Sequence, residues 1–293
     1  MNIRLQSEGF SALISTKGAE LKSLKNPEQK EFMWQSDPDF WRFSSPLLFP
    51  LIGNARKDRC LIKGKSYFIP KHGFARHKEF SLKNHSESRA VFSLTPDEDM
   101  LSCYPYPFLL DAEFSLHKHT LDISYTVYNR DIVDMYYQIG AHPGFVCPSE
   151  TEESFDQYSL CFEQEESFES YLYDIEKAHF CSEPVYPHKR GKTIALSKEL
   201  FLNDALYFPR ILSRKITLRN AKDLPLLALE FEDFSSFALW TPADPRAEFI
   251  CLEPWNGSAI LDKEDDLLSS RHDIQSLKPG EHKTYRLRIE LLS

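Results

Sequence analysis

The sequence predicts an all-β protein built as one domain over residues 1–293, and three observations carry that expectation. Apolar and polar residues alternate in short runs, the period of a half-buried strand. Helical periodicity over more than two turns is scarce. Prolines, 18 in number, are spread over the whole length among turn clusters, which suits many short antiparallel strands and no long linker. Aromatic residues make up 13% of the chain, and they fit pleated sheets and stack on sugar rings or bases alike.

Taken in order, Phe10–Ser15 reads as an early strand followed by the turn Lys17-Gly18. Leu121–Asn129 is the clearest strand, with Leu121, Ile123, Tyr125 and Val127 on one face. Within Glu150–Glu169 the aromatics Phe155, Tyr158, Phe162 and Phe168 interrupt the carboxylates, so this stretch is expected to be a strand pair with a solvated face. Helix is expected only in the short segments Leu196–Leu206 and Asp265–Ser270. Thr284–Leu291, after the turn Lys278-Pro279-Gly280-Glu281, reads as a terminal strand that closes a sheet.

The formal net charge of −9 argues against a nucleic-acid partner, which calls for a basic face. No apolar run reaches the length of a signal peptide core or a membrane span, so a cytoplasmic protein without a membrane partner is expected. The six cysteines are scattered without a CxxC pair and read as reduced thiols, mostly core fillers.

Four segments set a polar residue among Pro, Gly and aromatics. Ser45–Arg56 carries an apolar run into a loop with Asn54, Arg56 and Arg59, and by itself reads as a core strand followed by a basic turn. In Pro70–His77, Gly73 leaves room beside His72 for a ligand, and His72 and Arg76 can form one polar cluster. In Gly140–Phe145, proline pushes His142 into an extended conformation at a strand end, where an imidazole can exchange a proton near neutral pH. Cys251–Gly257 places Glu253 between an apolar strand and a Pro-Trp-Asn-Gly turn; a carboxyl held against Trp255 has its pKa raised, which suits a general base. Each residue also has a plainer structural reading: a satisfied histidine, an ion-pair arginine, a loop glutamate. Asp204, before the apolar run Ala205–Phe208, is a weaker fifth member that also reads as a turn or cap. A metal site is the rival, since His72, His142 and Glu253 are acceptable ligands and His117-Lys118-His119 places two imidazoles on one face of a strand. The latter pair lacks the following acidic ligand of a cupin, which weighs against it.

At these same segments the chain resembles the aldose 1-epimerase (galactose mutarotase-like) family, especially a divergent branch associated with lactose-utilisation operons. The resemblance lies in Phe40-Trp41, Ser45–Gly53, His72-Gly73-Phe74-Ala75-Arg76, Tyr106-Pro107-Phe108, His142-Pro143-Gly144-Phe145, Asn203–Leu206 and Leu252–Gly257. It implies a large single-domain β-sandwich of the galactose mutarotase supersandwich type. It also implies a small-molecule sugar substrate, no cofactor, no metal, and interconversion of the α and β anomers of a free aldose. Carried over by motif, Glu253 is the general base for the C1 hydroxyl and His142 the general acid for the ring oxygen. His72 helps to hold that oxygen; Asp204, Trp255 and an arginine bind the sugar. The arginine is Arg56, Arg59 or Arg76, because the loop Asn54–Arg59 does not align uniquely. These roles require Glu253 ionised while His142 is protonated, with the imidazole near or above its usual pKa through its carboxylate neighbour. Two other readings stay open, a hexose-6-phosphate mutarotase suggested by Arg56, Lys71, Arg76 and Lys78, and an idle carbohydrate-binding protein with Trp240 and Trp255 as its platform. The particular aldose and the oligomeric state stay open as well.

Overall fold

A computed structural model describes the whole chain, Met1–Ser293. Nearly all of its regular structure is strand, and every pairing between named strands is antiparallel. The larger layer is a nine-stranded sheet with Thr120–Asn129 near its middle, flanked by Phe108–His117 and His282–Leu291. The burial of these strands alternates residue by residue, so Leu121, Ile123, Tyr125 and Val127 face inward and the intervening residues face water. The second layer is an eight-stranded sheet whose central strand, Phe249–Asn256, is buried on both faces. A three-stranded sheet, Asn2–Ser7, Phe10–Ser15 and Glu20–Lys25, precedes both in sequence.

The two faces of Phe249–Asn256 explain the position of the site. Ile250 and Leu252 join one apolar cluster that gathers residues from Ile3 to Leu291. The alternate residues Cys251, Glu253 and Trp255 point the other way. There Cys251 packs with Ala247 and Phe249, against Trp41 and Trp240, while Trp255 packs with Tyr207 and Ala259. Glu253 therefore lies between two aromatic groups on the outer face of a sheet whose inner face is core.

The strands expected at Phe10–Ser15, Leu121–Asn129 and Thr284–Leu291 are present, the last two extended by a residue or two. The expected helical segments shrink to single 3-10 turns at Lys198–Phe201 and Leu268–Ser270. The one α-helix, Glu98–Cys103, was not anticipated from its six residues; Asp97 caps it by accepting from the Met100 N–H at 2.7 Å. Glu150–Glu169 is not a strand pair of its own. It supplies one strand, Ser159–Glu166, which pairs with distant Gly191–Ala195 and Lys215–Arg219. Nor do His117 and His119 share a strand face. His117 closes the hairpin opposite Thr120, and Lys118 and His119 form its exposed turn with Lys118 at φ 53°. All six cysteines are free, and Cys60, Cys147 and Cys251 are core fillers.

His72 and Gly73 are both left-handed, at φ 63° and 70°. Gly73 forms an isolated parallel bridge with Phe49, and a Cβ there would lie 2.1 Å from the Phe49 carbonyl oxygen. The turn that presents His72 is thus pressed against a neighbouring backbone that only glycine admits. Gly73→Ala is expected to lower stability by about 2 kcal/mol or more, read from the urea midpoint; an unchanged midpoint would show that the turn relaxes freely.

Candidate active site

His142 and Glu253 meet across the outer face of the central strand. His142 lies between the short strands Ile139–Ala141 and Gly144–Val146, both of which pair with Phe249–Asn256. The Pro143 carbonyl accepts from the Leu252 N–H at 3.0 Å, which ties the histidine turn to the glutamate's own strand. Trp41 stacks on the imidazole at 4.7 Å between ring centroids, 26° from parallel. Gly144 permits this, since a Cβ there would come within 2.9 Å of the indole. His142 Nε2 and Glu253 Oε2 are 3.0 Å apart, yet neither carboxyl oxygen has an aligned hydrogen-bond donor, and His142 Nδ1 and Trp255 Nε1 are likewise buried without partners. Buried polar atoms are seldom left so. Unspent polar atoms on three residues of one cleft suit a ligand rich in hydroxyls.

His72 is held by backbone from a third element. Its N–H donates to the Gly53 carbonyl at 2.8 Å, and its Nδ1 accepts the Gly53 N–H at 3.2 Å. That acceptance places the proton of the neutral ring on Nε2. The cleft has a volume of about 280 Å³, and His72, His142, Glu253, Arg76, Asp204 and Trp255 all line it. A larger hollow of about 330 Å³ on the outer face of the nine-stranded sheet holds none of these residues. Trp41, Lys71, Tyr173, Phe180 and Trp240 complete the wall of the site.

Arg56 is not part of it. Its guanidinium points outward, 3.3 Å from Asp266 Oδ1 and 2.9 Å from the Glu264 carbonyl. Arg59 is turned to Ser66. Arg76 is the arginine of the cleft, bonded to the Lys71 carbonyl at 2.7 Å and lying over the Phe43 ring. Asp204 sits just after the 3-10 turn Lys198–Phe201 at φ 69°, its N–H donating to the Phe201 carbonyl, so it ends that turn and does not cap a helix start. Sequence reasoning missed Tyr173 and Phe180, which come from the hairpin Ser170–Asp174 and His179–Val185 and carry no motif. Trp41, which the sequence marks only through the pair Phe40-Trp41, lines the cleft as the stacking partner of His142.

Burial sets the electrostatics. It pushes the Glu253 carboxyl well above the usual carboxylate range; the Asp204 carboxylate adds to this, and the Lys71 ammonium opposes it. His142 moves down, well below the usual imidazole value, through burial and then the nearby Arg76 and Lys71 charges. His72 is lowered by the same causes in the same order. The expectation of a raised His142 pKa is therefore corrected: loss of hydration and two cations outweigh the carboxylate neighbour. Burial thus favours the neutral form of the pair, carboxyl with imidazole, over the charged one. Burial and Arg42 bring the Arg76 guanidinium down to about 10, partly offset by Glu20.

The donor set His142, Cys251 and Glu253 is also the one cluster of three potential metal ligands in the chain. No helix is long and apolar enough to cross a membrane.

This sandwich of antiparallel sheets, with a buried histidine–carboxyl pair beside an aromatic-walled cleft, is of a class shared with known proteins. The aldose 1-epimerase family model matches residues 1–290. Protein LacX of Lactococcus lactis subsp. lactis is 32% identical over 293 residues, 95% of each chain. The crystal structure of a galactose mutarotase-like protein from Lactobacillus casei superimposes with a TM-score of 0.92 at 28% identity, covering 99% of this chain and 100% of that one. A putative glucose-6-phosphate 1-epimerase of Escherichia coli K12 is 29% identical over 117 residues, 36% of this chain and 37% of its own. The chain belongs to the aldose 1-epimerase family, a family of isomerases that act on sugars.

The folded state binds the Glu253 proton more tightly than the unfolded chain does. Its stabilising contribution is thus complete below the unfolded pKa and is lost as pH rises through the folded one. Glutamine cannot ionise. Glu253→Gln is expected to melt about 2 °C or more above wild type near pH 9, with the gap closing toward about pH 4, read by calorimetry. A gap independent of pH would show that the carboxyl is not in a dry setting.

Proposed function

We propose that the chain, acting as one domain, interconverts the α and β anomers of a free aldohexose by acid–base ring opening. The observation that carries this reading is the buried His142–Glu253 pair, 3.0 Å apart with unsatisfied polar atoms, in a cleft of monosaccharide scale. Glu253 as carboxylate takes the proton of the C1 hydroxyl while His142 as imidazolium gives its proton to the ring oxygen. The bond from C1 to the ring oxygen breaks, leaving the open-chain aldehyde. The pair ends as carboxyl and imidazole, again with one proton between them. That is the neutral form that burial favours, so the step runs toward it once the charged pair has formed, and forming the charged pair is opposed by the same burial. Rotation about C1–C2 and the reverse transfers close the other anomer.

His72, with its Nε2 proton, steadies the ring oxygen; Arg76 and Asp204 hold hydroxyls, and Trp255 offers a flat apolar face. A cytoplasmic setting suits six unpaired thiols.

A specific observation favours a second reading, a sugar 6-phosphate. Arg76 spends its donors on the Lys71 carbonyl and the His77 ring and not on a carboxylate, Lys71 Nζ lies 6.0 Å from the Tyr173 ring centroid, and the Arg42 charge is close by. Such a group of cations suits a phosphate. Polarimetry and saturation-transfer NMR on α-aldoses and their 6-phosphates separate the two by kcat/KM, and binding without rate enhancement would overturn both.

Glu253→Gln and His142→Gln are each expected to remove roughly 10² or more of the rate, the low end for a lost acid or base; a near-wild-type rate in either folded variant would overturn its role. The pH profile follows from the one-proton pair. A second proton creates a buried imidazolium, resisted by burial, Arg76 and Lys71, so the acid limb should fall below the ordinary histidine value of 6.5. Loss of the only proton leaves a lone buried carboxylate, so the alkaline limb should lie well above the ordinary carboxyl value of 4.5. Both limbs belong to the pair. A rate rising through pH 6.5 with ordinary histidine titration would contradict this assignment.

A further inference from the structure

We propose that His142, Cys251 and Glu253 form a binding site for a zinc-class divalent cation, and that an ion held there inhibits the enzyme by occupying its acid–base pair. The binding stands on geometry alone; the inhibition rests on the anomerase reading above.

Strand alternation places Cys251 and Glu253 on the same face of Phe249–Asn256, and Gly144 pairs directly with Cys251, bringing the His142 turn over both. One ligand atom from each of the three residues lies within 4.8 Å of the others, and all three residues are buried. A tetrahedral zinc ion with bonds of about 2.0–2.3 Å holds its donors about 3.3–3.8 Å apart. The cluster is thus within side-chain adjustment of a three-ligand site, and two of its three residues, His142 and Glu253, line the cleft. Neither oxygen of Glu253 is committed to a hydrogen bond, so ligation sacrifices none there.

The donor chemistry selects the ion. Imidazole nitrogen and thiolate sulfur favour Zn²⁺ or Co²⁺, whereas Mg²⁺ and Ca²⁺ take oxygen donors. Lys71 and Arg76 on the cleft wall disfavour a bare cation. With a thiolate and a carboxylate the bound ion adds no net positive charge. Binding releases two protons to solvent, the Cys251 thiol proton and the single proton of the His142–Glu253 pair. Bonds form from metal to sulfur, nitrogen and oxygen, with no change of oxidation state. Cys251 has no part in the proton transfers, which makes it the informative residue.

The test titrates Zn²⁺ and Co²⁺ separately into the full chain and its Cys251→Ser variant. Zn²⁺ is expected to lower the wild-type anomerisation rate reversibly, with recovery on chelation, and Co²⁺ to give a near-ultraviolet thiolate-to-metal charge-transfer band. Cys251→Ser should keep its metal-free rate, lose the band, and need roughly tenfold or more Zn²⁺ for equal inhibition. Absence of the band in wild type at saturating Co²⁺, or equal Zn²⁺ inhibition of both proteins, would overturn the proposal. Should the chain prove inactive on sugars, a band present in wild type and lost in Cys251→Ser still upholds the binding site, so the two readings fail separately.

Discussion

A carboxyl group that is 1% exposed is the constraint around which the rest of the site is arranged. An isolated carboxylate at such a place costs several kcal/mol in lost hydration. Glu253 is tolerated because it can hold a proton and because His142, 3.0 Å away, can share that proton. The stacked Trp41 and the edge-on Trp240 keep water from the imidazole and make the sharing necessary. The same dryness that makes the pair expensive gives it two opposite shifts in proton affinity, the property an acid–base couple needs.

The fold meets this constraint by making one strand serve two layers. Ile250 and Leu252 anchor Phe249–Asn256 in the main core while Glu253 and Trp255 face the cleft. Rigidity comes from core packing, which leaves the outward residues free to serve chemistry. The supporting loops are pinned from below by Arg271, itself buried. Its Nη2 donates to the carbonyls of Ser258 at 3.1 Å and Asn54 at 3.4 Å, and its Nε lies 3.3 Å from Glu264. Asn54 follows Gly53, whose amide sets the ring of His72, so this buried charge lies one residue from the histidine's own support.

Charge shows a similar division of labour. The chain is acidic overall, yet its cleft gathers Lys71 and Arg76 within reach of two histidines and two carboxyls, those of Glu253 and Asp204. These cations depress both imidazoles, and Lys71 partly offsets the rise at Glu253. At the imidazoles the local field thus opposes the global one, and it is the local field that a ligand in the cleft would meet.

Much of this was legible in the sequence. Alternation in Leu121–Asn129 and Thr284–Leu291 marked strands because a sheet with one wet face imposes a period of two on its own residues. The turns around His72, His142 and Glu253 were visible because sharp backbone needs Gly and Pro, which leave a compositional mark. The sequence by itself therefore determined the fold class and the local shape of each loop, both products of short-range sterics and hydrophobic period. Which loops converge was decided only by strand order: Ser159–Glu166 pairs with segments far along the chain, and Tyr173 and Phe180 reach the cleft from a hairpin with no distinguishing residues. Arg56 and Arg76 sit in equally basic stretches, and only packing turned one to Asp266 and the other to the cleft. The proton affinities of His142 and Glu253 belong to the tertiary structure for the same reason: they follow from the water excluded and the charges gathered by elements distant in sequence, quantities that no local pattern encodes.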